Sequence, residues 1–511
     1  MTRHLKHPKP IIAGQLDAGA PTRSGQKRRW RRYLRMAVSI SMALAAALVL
    51  AFGPRGVVKA PPHTTVVEYW EKWNGTEGHQ MAEIVNDFNS TVGRRDHIFV
   101  RYISTSSIDQ KTLTAIAAGV PPDIAGLWNE TLCQFAALGC LKRLGAMAKS
   151  YGITAASYLP VYWRGCHYHG HLYALVSTPA AVALLYNKAI FQGDAARLRA
   201  AGLNPNRPPR TLKELDRYAH ALTIISPSGH ILQAGFVPMT SWYLGDLWMW
   251  FGGHVWNAQT HKFTLTSPAV VRSFQWIRKY SQWLGPQAIN SFQSGEGNFD
   301  SPENPFLAGQ EVMEMQGPWM ANYIYNFAPH MSTLRWPKSV ELKLPLSQRY
   351  QNYSWAFAPF PSAVPGLKDV SYCSFDCLCI PRGAKHPRSA FAFIAYVNRQ
   401  PVMEKLCAMH GKNSPLAKVS RNFLLHNKNP YIGVFEKLAA SPNARSFPPV
   451  PIGPQLKAEL GITAERVGLL KDTPRHALAM AQARLQRLYD AFHAMQLRRQ
   501  AITGVGRGYN P

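Results

Sequence analysis

The sequence lacks the short signatures that many catalytic chains carry. Its 511 residues contain no Gly-x-Ser-x-Gly elbow, no His-Glu-x-x-His and no Gly-x4-Gly-Lys-Ser/Thr loop. An α/β serine hydrolase, a zincin and a phosphate-loop NTPase are therefore unsupported. Acids are scarce too: 28 Asp+Glu stand against 57 Lys+Arg. A glycosidase needs two carboxylates across a cleft, one of them kept protonated. Glu77 and Asp376 are candidates, but no spacing joins them. No repeat at solenoid periods is present. The seven cysteines are an odd count, and Cys133 and Cys140 could close a short loop in an oxidising compartment. Cys373-x3-Cys377-x-Cys379 has neither the spacing nor the second pair of a zinc site. On a strand its odd-numbered positions share one face, which reads as buried thiols. Cys166-His167-x-His169-x-His171 has no carboxylate near it to complete a metal site. No metal, no cofactor and no catalytic residue are expected.

What is abundant is positive charge, +29 in total. Residues 1–60 hold 12 of the bases and one acid. Beyond them the bases scatter (Arg94-Arg95, Lys142-Arg143, Arg498-Arg499) without forming a stripe, so a solvated basic surface is expected, not a nucleic-acid site. Lys27 to Arg35 is a basic run followed by an apolar run from Met36 to Phe52 and a Gly53-Pro54 break. That order is an export address. Val58-Lys59-Ala60 imitates a cleavage motif, although Pro61 is a poor residue to follow it, so a signal peptide and an uncleaved tether at 36–52 both stay open. No Cys follows the run, which argues against a lipoprotein anchor.

Hydrophobic residues at 46% and charged residues at 17% describe a globular chain. Thr65 to Trp70 reads as a strand, followed by a helix with Met81, Ile84, Val85 and Phe88 at helical spacing. His97 to Ile103 is a second strand, and Ile108 to Ala118 a helix ended by Gly119 and Pro121-Pro122. Strand–helix–strand–helix order implies a parallel sheet covered by helices. Tyr168 to Val176 reads as a hairpin, Ala180 to Tyr186 as a buried strand, and 285–310 as a long loop. Helices are also expected from Leu212, over 266–284, over Arg388 to Arg399 and over Pro474 to Arg498.

Several segments together resemble the extracellular solute-binding proteins of sugar ABC importers, the maltose-type family 1. They are Ala115 to Ile124 with its Pro121-Pro122-Asp123-Ile124, Ala137 to Leu141, Gly170 to Leu175, Leu184 to Lys188, Pro208 to Leu215, Gly252-Gly253, Phe306 to Gln310 and Gln316-Gly317-Pro318-Trp319. Each is weak alone. In this order, over about 65 to 495, they are specific. The resemblance implies an α/β, two-lobed periplasmic-binding-protein fold (type II-like), each lobe a mostly parallel sheet flanked by helices, with a ligand cleft at the hinge. The expected partition is 62–179 plus 370–417 for the N-terminal lobe, 180–369 plus 418–500 for the C-terminal lobe, and 501–511 as a tail. The implied function is capture of a sugar or polyol outside the cytoplasmic membrane by a monomer that delivers it to an ABC permease. A glycan-active enzyme and a polyanion-binding protein are the alternatives.

A sugar site needs aromatic faces for the C–H surfaces and polar side chains for the hydroxyl rim. The chain has 14 tryptophans. Trp70 and Trp73 end the first strand, with Asn74 and Glu77 as polar companions. Trp128 and Asn129 follow the strand begun by Asp123-Ile124, whose end faces the cleft in the family. The resemblance puts the first hinge crossing and a ligand-facing side chain at Thr178. Trp242 is the expected contact among the aromatics at 242–256, and Trp319 matches a position that stacks on sugar. Tyr372 and Ser374 stand where relatives carry a Gly-Gly turn beside the ligand, a departure from the family's pattern.

Overall fold

The computed structural model describes residues 60–295, 299–345 and 348–503, with side chains up to 498, plus Tyr33, Met36, Ala37 and Ser41. The basic run, nearly all of the apolar run and the tail beyond Thr503 lie outside the described residues. Residues 1–60 and 61–511 are separate units. The second is built from β1 (Thr65–Glu71), α1 (Gly75–Ser90), β2 (Ile98–Ser104), β3 (Ile124–Trp128), β4 (Ala174–Ala181), β5 (Ala183–Asn187), α2 (Pro268–Leu284), α3 (Pro286–Ser294), β6 (Met313–Gln316), β7 (Trp355–Ala358), β8 (Ser371–Cys379), α4 (Pro387–Val397), β9 (Ala444–Arg445), α5 (Gly453–Gly468) and α6 (Pro474–Thr503), among shorter elements.

The larger sheet runs β9-β8-β3-β1-β2, with β4 also paired to β8. β1 lies parallel to β2, from Thr65 beside Ile98 to Glu71 beside Ser104, and parallel to β3. The intervening α1 buries Met81, Ile84, Val85 and Phe88 as its periodicity requires. Asp123 explains the Pro-Pro-Asp-Ile segment: its carboxylate accepts the backbone N–H of Glu68 (3.1 Å) and of His386 (2.8 Å), pinning β1 to the approach of α4.

The smaller sheet corrects the expectation of mostly parallel sheets. Its order is β6-β5-β7 and both pairings are antiparallel. β5 follows β4 after a single residue, Val182, and its neighbours come from far downstream. The long connections from β5 to these neighbours, which include α2 and α3, bring both back antiparallel to it. Successive residues of β5 serve different cores: Ala183 and Leu185 join the first, Leu184 and Tyr186 the second. Strand alternation sends them to opposite faces, and burial on both faces is why the segment reads as an unbroken apolar run. The first core takes in the larger sheet, α1, α4, and Phe423 to Leu438. The second takes in α2, α5, α6 and the aromatic turn Leu244–Phe251, where Trp248 and Trp250 are buried.

Two further expectations change. The expected strand Ala180 to Tyr186 is the end of β4 and the start of β5, broken at Val182. The expected loop 285–310 contains α3, whose Ile289 and Phe292 are buried three residues apart behind Pro286. The seven cysteines are unbridged thiols. Cys373, Cys377 and Cys379 are buried, with 3.9 Å between the last two sulfurs.

Asn413 ties β4 to its surroundings, accepting from Ala181 N (3.0 Å) and donating to Tyr162 Oη (3.0 Å). Its neighbour Ser414 donates its N–H to Glu436 Oε1 at 2.6 Å. Burial pushes the Glu436 carboxyl from about 4.5 up to about 8, against the pull of that N–H. Because the folded value is the higher one, stability present below pH about 4.5 is lost as pH rises towards 8. Glu436→Gln keeps an acceptor for Ser414 and removes the titration. Thermal melts of the variant should lose part of the wild-type decline between pH 5 and 8, by several degrees at pH 8. Parallel pH profiles for the two proteins would show that Glu436 carries no such effect.

Candidate functional site

A cavity of about 320 Å3 opens at the C-terminal ends of β1 and β3 and along β4 and β8. Ends of parallel strands are where α/β sheets collect ligands. The chain leaving β1 supplies Trp73 and Glu77, β3 and its exit supply Trp128 and Asn129, β4 supplies Thr178, and β8 supplies Tyr372 and Ser374. Trp242 and Trp319 face them. Trp70 and Asn74 do not line it. Trp70 packs half-buried against the first core, because β1 turns it away from the face that buries Tyr69 and Glu71. Asn74 is exposed ahead of α1 and makes no side-chain cap bond.

The aromatic wall is built by a local device. A Cβ at Gly317 would fall 2.2 Å from Cη2 of Trp319, so only glycine lets the indole fold back over its own Gly-Pro turn. Trp319 then stacks on Trp242, centroids 6.2 Å apart and planes 23° apart, and Phe299 packs on Trp242 at 4.4 Å. Trp242 remains 57% exposed and Trp128 45%, although both are large apolar rings. Exposed indoles converging on one cavity are unusual for a core and suit a ligand face.

Below the rings lies a charged floor that sequence reasoning did not anticipate. Lys72 Nζ is 3.1 Å from Glu71 Oε1 and 2.9 Å from Asp376 Oδ1. Lys412 Nζ is 3.4 Å from Glu77 Oε1, 4.0 Å from Asp376 Oδ2, and donates to Thr178 Oγ1 at 3.3 Å. Thr178 in turn donates to Asp376 (3.2 Å), and Tyr69 donates to Glu71 (2.6 Å). Burial pulls the Lys72 ammonium down, but Asp376 and Glu71 outweigh it and hold the group above its usual range. Lys457 pairs with Asp246; burial opposes its charge, yet Asp246 and Glu130 raise it. Burial raises the Glu130 carboxyl, against Lys457, and Tyr372 donates to it at 3.1 Å. His410, edge-on to Trp73 at 5.0 Å, is driven well below its usual range by burial and then by Lys412. Each lysine also lies near an aromatic face: Lys72 4.3 Å from Trp128, Lys412 5.6 Å from Trp73, Lys457 5.2 Å from Tyr372.

A family model described as bacterial extracellular solute-binding protein matches residues 83–422. The chain belongs to that family. The maltotriose-binding protein of Pyrococcus abyssi is 22% identical over 205 residues, 40% of this chain and 39% of that relative, so the match spans well under half of its length. Among solved structures, CpMnBP1 with mannobiose bound has 24% identity and a TM-score of 0.67 over 82% of this chain and 98% of its own. The sugar-binding protein MalE of Xanthomonas citri has 18% identity and a TM-score of 0.64, over 86% and 100%. The GacH receptor of Streptomyces glaucescens GLA.O has 17% and 0.61, over 84% and 99%. These likenesses show the periplasmic-binding-protein fold.

For this solute-binding protein, family membership gives a binding role and a place outside the cytoplasm. Among the described residues no helix is long and apolar enough to cross a membrane, and no group of three or more His, Cys, Asp or Glu could hold a metal ion. His167 is instead fixed by Trp163, Nδ1 to carbonyl oxygen at 2.6 Å. The two carboxylates considered for hydrolysis, Glu77 and Asp376, both face Lys412, and Asp376 faces Lys72 as well.

Removing Asp376 tests the floor. Asp376→Ala leaves two buried ammonium groups, each 7% exposed, with one carboxylate apiece: Lys72 with Glu71 and Lys412 with Glu77. Loss of about 2–3 kcal/mol is expected in urea unfolding, less than for a buried charge left with no partner. A loss below about 1 kcal/mol would mean that the two lysines find other partners.

Proposed function

We propose that this protein captures a neutral sugar in the cleft and delivers it to the membrane permease of an ABC importer, acting as a monomer. The carrying observation is the pairing of exposed indoles with cations that already have partners. Lys72, Lys412 and Lys457 all face carboxylates, so among the described residues the cleft has no unpaired ammonium to offer a phosphate or polyanion. Its aromatic faces and its hydroxyl and carboxylate groups match the C–H faces and hydroxyl rim of a sugar. Names of similar proteins, bound to mannobiose or called maltotriose-binding, support the same reading.

In this reading the two hydrophobic cores are the cores of two lobes, joined where the chain passes from β4 through Val182 into β5 and again where it enters β8. Ligand bridges Trp73 and Trp128 on one side and Trp242 and Trp319 on the other, and closure excludes water from its hydrogen bonds. Residues 27–52 serve as the export address, and the apolar run either leaves with cleavage or stays as a tether.

Trp319→Ala tests the stacking role. Calorimetric titration with the tightest-binding neutral sugar should show a loss of at least tenfold in affinity, with a melting temperature near that of the wild type. Unchanged affinity removes Trp319 from the site. Salt separates the polyanion alternative: a neutral ligand's affinity should change less than twofold between about 50 and 300 mM salt, whereas polyanion binding falls steeply.

A further inference from the structure

The closing helix α6 has two faces, and the fold uses one of them. Ala477, Leu478, Ala481, Leu485 and Tyr489 are buried in the second core, and Phe492 packs against it. The opposite side is exposed. Met480, Arg487, Ala491 and Arg498 succeed one another there at helical spacing, with Leu488 and Met495 seven residues apart beside them. From Met480 to Arg498 this stripe covers about 27 Å of helix at a rise of about 1.5 Å per residue.

The stripe does not have the makeup of an ordinary wet surface. Met480, Leu488 and Met495 keep 47%, 49% and 48% of their area in water. Exposed helix faces usually mix acids with bases, which pair one turn apart. α6 has five arginines and one acid, Asp490, which lies off the stripe and accepts from Gln486 Nε2 at 2.8 Å. Arg484 turns to Glu459 of α5, so Arg487 and Arg498 are the charges left facing outward on the stripe.

Half-wet methionine and leucine set among arginines, with no acid between them, suit a lipid–water boundary. The apolar tips enter the edge of the acyl layer and the guanidinium groups stay at the phosphates. Two copies of the chain meeting through this face would set arginine against arginine with no acid to pair them. A place outside the cytoplasm gives the chain access to a membrane surface.

We propose that the outer face of α6 docks onto an anionic lipid membrane, with Met480, Leu488 and Met495 at the acyl boundary and Arg487 and Arg498 on lipid phosphates. The proposal does not depend on which solute the cleft holds. It gives part of the basic excess a partner that the cleft, with its paired lysines, does not supply.

Among the described residues every strand and both hydrophobic cores lie within 61–511, so that unit folds without the apolar run at 36–52, which would bind lipid by itself. The test is sedimentation of residues 61–511 with vesicles of phosphatidylglycerol and phosphatidylcholine in equal parts. At about 50 mM salt binding should be at least about tenfold tighter than to phosphatidylcholine alone, and it should weaken at least about fivefold at about 300 mM. Arg487→Glu with Arg498→Glu should cost at least about tenfold, and Leu488→Ser with Met495→Ser at least about threefold, with melting temperatures near wild type. The same charge change at exposed sites off the stripe, Arg94→Glu with Arg143→Glu, should cost less than about threefold. No binding to the mixed vesicles, binding indifferent to lipid charge, or equal losses from the two arginine pairs overturns the proposal. Undiminished binding by the serine variant also does, since it leaves only diffuse charge attraction. A dimer in gel filtration that the serine variant dissolves puts a second copy on this face and overturns it as well.

Discussion

The structure depends on where it buries charge. Glu71 is inaccessible to solvent, Asp376 and Lys412 are nearly so, and Lys72 keeps 7% of its side chain exposed. Isolated charges at such positions would cost several kcal/mol each. The fold meets that cost by threading one network through four separate parts of the chain: the end of β1, the middle of β8, the start of α1 and the segment after His410. The network also dictates small residues around it. A Cβ at Gly126 would lie 2.0 Å from Glu71 Oε2, so β3 can pass beside the carboxylate only as glycine. Packing, strand pairing and electrostatics at the cleft are therefore one constraint.

That constraint shapes what the cleft can hold. A lysine with a carboxylate partner and an indole over it is held in place and has little attraction left for an anion. Two of the indoles above, Trp128 and Trp242, by contrast keep large areas in water. Rigid aromatic faces over a neutralised floor discriminate by shape and hydrogen bonding, the way a site for an uncharged, hydroxyl-rich ligand must.

Legibility in the sequence followed the range of the interaction. The β1–α1–β2 unit was readable because its signal is local periodicity, and Gln-Gly-Pro-Trp was readable because one turn builds it. Nine of the eleven candidate residues line the cavity, since aromatic and polar residues at strand ends carry a positional signal. Trp70 stands outside the lining by one step of strand alternation, and Asn74 by its position ahead of the helix. The lysines gave no signal. Lys72 reads as loop, Lys412 as a cation just past a helix end, Lys457 as one more helix-surface base, and the partner Asp376 is some 300 residues from Lys72 in sequence. The antiparallel β6-β5-β7 sheet was hidden for the same reason: an apolar run records burial, not the direction of the neighbour that buries it.

The excess of base takes on a different meaning against this background. A total of +29 would ordinarily point to polyanions. Yet at the cleft acids crowd the lysines, with Glu71, Glu77, Glu130, Asp246 and Asp376 arranged about Lys72, Lys412 and Lys457. In a chain with 28 acids this concentrates the scarcer charge around three buried or partly buried lysines. Desolvation accounts for it: a surface lysine is solvated by water and needs no partner, whereas a buried one needs a carboxylate. The net charge is thus a property of the surface. It governs how the protein meets other charged surfaces, and in the proposed reading it leaves ligand choice to the indoles.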